Sequence, residues 1–333
     1  MNCLIFGAGG WGTAMAIHLA RQGHPVTLLP RRADQALALA TTRENRDYLP
    51  GRRLDDSIQI GLEIGPALMD VELVFLACPS KGMPGLLANI GPAVRASSAR
   101  MAISLCKGLD LATLRRPSEL MADAFGAVPV GSLSGPSNAD EVAAGLPTAL
   151  VLASQAEPAL MRQVQAVVSG PTLRAYTSTD LLGVELGGTL KNVYAVGAGL
   201  CDGLELGSNA KAALLTRSLQ EMTRLGTAMG ATPETFLGLG GVGDLMATAH
   251  GAWSRNRSLG EQVARDPQGT LAALADRKEA VEGHRAAEAL TRLAKQRGLD
   301  APILTCLHAI LYEGMDPRAG VGALMGRDLR AEA

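Results

Sequence analysis

The chain has 333 residues, room for about two domains that each bury a core, which excludes a minimal binding module. Its 31 Lys and Arg stand against 32 Asp and Glu, so the net charge of -1 lacks the basic surplus of a dedicated nucleic-acid binder. Hydrophobic residues at 47% and charged residues at 19% exclude a disordered chain, while 3% aromatics predict a core of Ala, Leu and Val and 39 glycines predict tight backbone approaches.

The N-terminus, MNCLIFGAGG, has no basic stretch ahead of its short apolar run, so neither a signal peptide nor a myristoylation site is expected. No apolar run reaches the ~20 residues of a membrane span, and a cytoplasmic protein without an integral membrane segment is expected. Cys3, Cys78, Cys106, Cys201 and Cys306 are far apart and form no CxxC pair; they read as buried free thiols of a reducing compartment. His18, His24, His250, His284 and His308 show no metal-ligand spacing, so no metal is expected.

Apolar strand patterns alternate with helical patterns through the first half of the chain. NCLIFGAG leads into a helix predicted over about 13–22, then HPVTLLP, VELVFLACPS, ARMAISLCKG, VPVGSLSGPS and TALVLAS follow as strands. Such alternation predicts βαβ units and an α/β fold, a Rossmann-type doubly wound and mostly parallel sheet. From about Thr179 onward, Ala, Leu, Glu, Lys and Arg at helical spacing predict an all-helical C-terminal domain. The join is expected in the polar stretch 175–179, giving domains over 1–178 and 179–333, with Thr179 or Asp180 capping the next helix.

The strongest chemical signal is Gly7-Ala8-Gly9-Gly10-Trp11-Gly12, a GxGxxG pattern between an apolar strand and an amphipathic helix. Gly7 permits the turn, Gly9 lets a pyrophosphate approach, Gly12 lets helix pack on strand, and the helix N-terminus supplies N–H donors. Trp11, inside that loop, is expected to cover the cofactor. In such a unit the residue that reads the adenine ribose ends the second strand, where this chain has Pro30-Arg31-Arg32. Paired guanidiniums complement a 2′-phosphate, so NADP is preferred over NAD. Asp34, slightly beyond, reads as a helix cap.

Three glycine-punctuated segments carry polar residues a core would reject: Cys106-Lys107-Gly108, Ser134-Gly135-Pro136-Ser137-Asn138 and the LGGTLKN run around Lys191. Lys107 and the SGPSN turn should lie at the carboxyl edge of the sheet, where such folds bind ligands. Lys191 belongs to a helix predicted over 181–200 with a glycine-lined apolar face, where a lysine either snorkels or works. Leu239-Gly240-Gly241-Val242-Gly243-Asp244 then delivers one carboxylate, and Ser254-Arg255-Asn256-Arg257 clusters two guanidiniums, a hydroxyl and an amide suited to an oxyanion.

GAGGWGTAMA, TRENRDYLPG, CKGL, SGPSNADEVAAGLPTA, ELGGTLKNVYAVGAG, DGLELGSNAKAAL, LGGVGDL, SRNR and VEG, in this order and over nearly the whole chain, resemble the bacterial-type NAD(P)-dependent glycerol-3-phosphate dehydrogenases. The resemblance implies a Rossmann domain and a helical substrate domain with the active site between them. It implies hydride exchange between NAD(P)H and dihydroxyacetone phosphate, giving sn-glycerol 3-phosphate for phospholipid synthesis, in a cytoplasmic homodimer. Cofactor contacts carried over are Gly10, Trp11, Arg31, Arg32, Tyr48, Lys107, Ala139, Arg255, Val281 and Glu282, beside Gly7, Gly9 and Gly12 of the loop. Substrate contacts carried over are Lys107, Gly135, Ser137, Lys191, Asp244, Ser254, Arg255 and Asn256. Lys191, Asp244 and Lys107 take the catalytic roles, with Lys191 transferring the proton. Gly10 stands where the family commonly has Ser, and LATLRRPSEL after Asp110 matches the family poorly and reads as peripheral. The rival readings are another Rossmann-plus-helical dehydrogenase acting on a hydroxy acid or ketopantoate-like substrate, and a catalytically silent nucleotide-binding sensor.

Overall fold

The computed structural model describes residues 1–276, 281–329 and 331, and the chain divides into two units, Met1–Glu185 and Leu186–Ala333. In the first unit, short β-branched and leucine-rich runs form ten strands. They are β1 (Cys3–Phe6), β2 (Val26–Leu29), β3 (Glu44–Asn45), β4 (Leu49–Arg53), β5 (Gln59–Ile60), β6 (Leu73–Leu76), β7 (Met101–Ser104), β8 (Val130–Ser134), β9 (Thr148–Ser154) and β10 (Leu173–Ser178). Eight of them make one sheet in the order β10-β9-β8-β7-β6-β1-β2-β5, parallel except where β8 meets β9, and β3 and β4 form a separate antiparallel pair.

Both faces of this sheet are covered. Cys3, Ile5, Leu73, Phe75, Met101 and Ile103 pack on one side with Met15 and Leu19 of the Gly10–Arg21 helix. Leu4, Phe6, Val74, Leu76 and Ala102 pack on the other with Leu87, Ile90 and Val94 of the Met83–Arg95 helix and Phe125 of the Pro117–Phe125 helix. Because successive side chains of a strand point to opposite faces, a strand buried on both must read as a continuous apolar run. The chain builds outward from β1 through β2 to β5, then crosses to β6 on the other side of β1. That reversal opens a crevice beyond the carboxyl ends of β1 and β6, the place where such sheets bind nucleotides.

The structure departs from the sequence expectations at several points. The first helix starts at Gly10, earlier than expected, because the glycine loop itself forms the first helical turn despite its poor propensity. Most of the polar stretch 175–179 is strand: Leu173–Ser178 pairs in parallel register with Thr148 through Ala153, its side chains alternating buried and exposed as an edge strand requires. Asp180 does cap the next helix, accepting a bond from the Gly183 N–H at 2.9 Å. Asp34 does not cap its helix; the Ala33–Thr42 helix has Arg32 as N-cap, and Asp34 lies inside the first turn. The segment read as peripheral is tied to a buried carboxylate. Arg116 reaches Glu185 at 2.7 Å, and Ser118 donates its N–H to Glu185 at 2.9 Å. Burial pushes the Glu185 carboxyl up, opposed by the Arg116 charge and the Ser118 bonds.

Among the described residues of the second unit, the regular elements are helices. The Leu181–Gly203 helix contains the boundary between the units, and residues 186–201 are buried on every side, as expected of a helix that is apolar all round. Each polar side chain on it therefore needs a partner. Tyr194 donates its hydroxyl to Glu221 at 3.1 Å, and Glu221 also accepts the N–H groups of Ile303 and Leu304 at the start of the Pro302–Tyr312 helix. Desolvation raises the Glu221 carboxyl, and those bonds oppose the rise. Among the described residues no helix is long and apolar enough to cross a membrane. All five cysteines are free thiols, four of them buried.

Candidate active site

Gly7 and Gly12 meet the backbone demands that their spacing predicts. Gly7 has a φ of +104°, and a Cβ there would collide with the Ala77 carbonyl at the end of β6; a Cβ at Gly12 would strike the Gly7 carbonyl. By contrast, a Cβ at Gly9 would meet nothing within 4 Å, so the space beside Gly9, just ahead of the Gly10–Arg21 helix, is open. These residues fit a dinucleotide pyrophosphate, which needs close backbone approach and unpaired N–H donors. At Gly10 a Cβ would lie 2.9 Å from the Tyr48 carbonyl and 3.7 Å from the Ala139 Cβ, so Gly10, Tyr48 and Ala139 are brought together. Trp11 is partly buried and packs its ring against the core.

Sequence reasoning missed the groups that brace this loop. The Ala8 carbonyl accepts bonds from Asn45 at 2.9 Å and Gln35 at 2.7 Å, and Asn45 also donates to the buried Thr13 hydroxyl at 2.7 Å. Asn45 lies within TRENRDYLPG, so its motif was visible although its contact was not. At the end of β2, Arg31 and Arg32 are both exposed, and Arg32 pairs with Asp34 at 3.1 Å.

Lys107 follows β7 and the SGPSN turn follows β8, and the two meet. The Lys107 Nζ donates to the Gly135 carbonyl at 3.0 Å and lies 3.4 Å from the Ser137 hydroxyl, which itself donates to Gly135 at 2.8 Å. Asn138 caps the helix beginning at Ala139 by accepting the Glu141 N–H.

Lys191 does not snorkel. It is 5% exposed, and its Nζ lies 3.0 Å from Asp244, itself 1% exposed, and 2.7 Å from the Thr248 hydroxyl. Thr248, one turn beyond Asp244 on the Asp244–His250 helix, donates back to the Asp244 carbonyl at 2.7 Å. A Cβ at Gly187 would strike the Gly240 carbonyl; the missing side chain lets the glycine-rich turn at Leu239–Gly243 press against the helix, setting Asp244 beside Lys191. Thr248 was not foreseen, although its i+4 spacing from Asp244 puts both on one face.

The neighbouring Asn192 accepts a bond from Asn256 at 2.8 Å, and Asn256 in turn accepts the Gly283 N–H at 2.8 Å. That chain of bonds ties the Arg255–Arg265 helix to the start of the Glu282–Arg297 helix, whose N-cap is Val281. Ser254 caps the Arg255–Arg265 helix, accepting the Arg257 N–H at 3.2 Å, and Arg255 is exposed beside it. The two guanidiniums of SRNR differ in their surroundings. Arg257 is committed to Asp202 at 2.7 Å and Glu261 at 2.6 Å. A cavity of about 920 Å³ in this unit contains none of the predicted site residues, and in its wall Lys211 and Arg257 both pair with Asp202. The buried ionic cluster at Lys191 lies apart from the residues that line that cavity.

Comparison with known proteins identifies the family. The NAD-dependent glycerol-3-phosphate dehydrogenase N-terminus model matches residues 2–160, and the C-terminus model of the same family matches residues 180–322. A relative from Thermus thermophilus, named as an NAD(P)+ glycerol-3-phosphate dehydrogenase, is 46% identical over the full length of both chains. One from Salinibacter ruber with the same activity in its name is 42% identical over 98% of this chain and 96% of its own. The crystal structure of glycerol-3-phosphate dehydrogenase from Coxiella burnetii, 35% identical, superposes with a TM-score of 0.91 over 98% of this chain and 99% of its own. Matched in both halves by one family and aligned end to end with its members, the chain belongs to the NAD-dependent glycerol-3-phosphate dehydrogenase family and is an NAD(P)-dependent oxidoreductase.

Proposed function

We propose that the protein interconverts dihydroxyacetone phosphate and sn-glycerol 3-phosphate, using NADPH in preference to NADH and supplying glycerol 3-phosphate for phospholipid synthesis. The observation that carries this reading is the buried Lys191–Asp244 pair, a cation and a carboxylate 3.0 Å apart in a helical interior that would otherwise exclude both. When bound, the nicotinamide supplies the hydride. Lys191 stabilises the developing alkoxide with its charge and donates the proton from Nζ. Asp244 holds Lys191 in place and accepts a bond from a substrate hydroxyl. Lys107, steadied by Gly135 and Ser137, orients the carbonyl.

Arg255, with Ser254 and Asn256, anchors the phosphate dianion, so that binding energy remote from the reacting carbon is spent on orientation. Gly7, Gly9, Gly10, Trp11 and Gly12 take the pyrophosphate side of the cofactor, with Tyr48, Ala139, Val281 and Glu282 as further contacts. Arg31 and Arg32 take the 2′-phosphate.

The five free thiols suit a reducing cytoplasm. The homodimer rests on the family resemblance alone, and sedimentation velocity tests it. For the function itself the experiment is oxidation of NADPH and NADH by the purified protein with dihydroxyacetone phosphate, beside ketopantoate and a panel of 2-oxo acids. Turnover is expected with dihydroxyacetone phosphate, faster at limiting NADPH than at limiting NADH. Turnover confined to the unphosphorylated acids would overturn the reading.

A further inference from the structure

The ion pair at the end of β2 bears on how one site serves two cofactors. Arg32 engages Asp34 through Nε at 3.1 Å, and among the described residues its terminal nitrogens make no other pairing. Arg31 beside it makes no described ion pair. The first turn that carries Asp34 is fastened to the phosphate loop, because Gln35, the next residue, donates to the Ala8 carbonyl at 2.7 Å while the Gly7 N–H donates to Leu29 at 2.9 Å. Asp34 is therefore held at a fixed register from the glycine loop, on the exposed first turn of the Ala33–Thr42 helix that follows β2.

We propose that Asp34 is a specificity-determining residue that balances the two nicotinamide cofactors. This rests on the reading that Arg31 and Arg32 meet the adenine ribose. Toward NADPH the carboxylate acts against binding: it neutralises part of the Arg32 charge and repels the 2′-phosphate. Toward NADH it acts for binding, because a carboxylate beside the adenine ribose accepts a bond from the free 2′-hydroxyl, which guanidiniums, having no acceptor, cannot do. One side chain thus opposes one cofactor and supports the other, which narrows a preference that two unopposed arginines would make wide.

The test is calorimetric titration of NADPH and NADH into the purified protein and its Asp34→Ala, Asp34→Asn and Arg32→Ala variants. Both groups are largely solvent-exposed, so each effect is expected to be about threefold at low salt. Asp34→Ala should tighten NADPH about threefold and weaken NADH by a similar factor, and raising the salt should shrink the NADPH change more than the NADH change. Asp34→Asn, which loses the charge but keeps an acceptor oxygen, should tighten NADPH equally and weaken NADH less. The KM for dihydroxyacetone phosphate should stay within about twofold throughout the Asp34 series, which a general loosening of the fold would not allow.

Asp34 variants that move both cofactors in the same direction, or neither, would overturn the proposal while an Arg32→Ala loss of NADPH affinity left the reading of the arginines standing. Unchanged NADPH affinity in Arg32→Ala would bring down that reading and the proposal together.

Discussion

Replacing Lys191 with methionine removes a charge while keeping most of the volume of its stem. The ammonium lies 3.0 Å from an Asp244 carboxylate that is 1% exposed, so the change leaves a buried anion without its cation. Breaking such a pair costs about 3–5 kcal/mol, which for a chain of this size lowers the unfolding midpoint by roughly 4–7 °C. A second substitution, Asp244→Asn, removes the stranded charge while its amide still bonds with Thr248, so the double variant should regain most of the lost stability. Turnover should behave differently. Proton donation and alkoxide stabilisation act in the transition state, so both variants should lose about 100-fold or more in kcat while NADPH affinity changes less than about threefold. The measurements are thermal unfolding, steady-state oxidation of NADPH with dihydroxyacetone phosphate, and cofactor titration. A Lys191→Met protein that keeps more than about a tenth of wild-type turnover would refute the assignment. So would a double variant that regains turnover along with stability, since Lys191 would then be only the counterion of Asp244.

Gly187→Ala should cost about 1–3 kcal/mol and lower kcat, because the new methyl meets the Gly240 backbone and displaces the turn that delivers Asp244; an unchanged unfolding midpoint with unchanged kcat would contradict this packing account. Arg255→Ala should raise the KM for dihydroxyacetone phosphate, and inorganic phosphate, a competitor of the wild type, should compete less well against the variant. A KM that does not move would remove Arg255 from the phosphate site. Burial and the neighbouring Arg285 charge hold His284 down to about 4, against a partial opposing pull from Glu288. In the unfolded chain it titrates near ~6.5, so as pH falls the unfolded state takes up the proton first. The stability this neutral imidazole contributes is therefore complete above pH ~6.5, lost progressively down to about pH 4 and constant below. After discounting for its partial exposure the loss is roughly 1–2 kcal/mol. Urea unfolding of the wild type and His284→Gln between pH 4 and 7 should show the smaller slope in the variant, and equal slopes would show that the titration lies elsewhere.

The features legible in the sequence were those set by neighbours along the chain. A buried parallel strand must be a run of apolar residues and the turn at φ +104° calls for a glycine, so the strand, the loop and the existence of the helix after it could be read directly, though not its start at Gly10. Capping by Asp180 was equally local. Candidate polar residues such as Lys107, Lys191 and Asp244 stood out because an apolar or glycine-lined context would not hold them without cause.

Partnership was another matter, because it depends on which distant segments the packed core sets side by side. Lys191 meets Thr248 across 57 residues, Asn45 meets Ala8 across 37, and Ser118 meets Glu185 across 67. The last of these turned a segment that looked peripheral into the partner of a buried carboxylate. The same principle sorted the two arginines of SRNR, since Arg257 finds Asp202 from another helix and is spent there, while Arg255 stays exposed. It also made a strand of Leu173–Ser178, whose polar residues looked like a linker until β9 lay alongside to supply its hydrogen bonds. A backbone pattern carries its own short-range energy along the chain, whereas a charge buried in a core is stable only where the rest of the fold has already brought its counterpart within hydrogen-bonding reach.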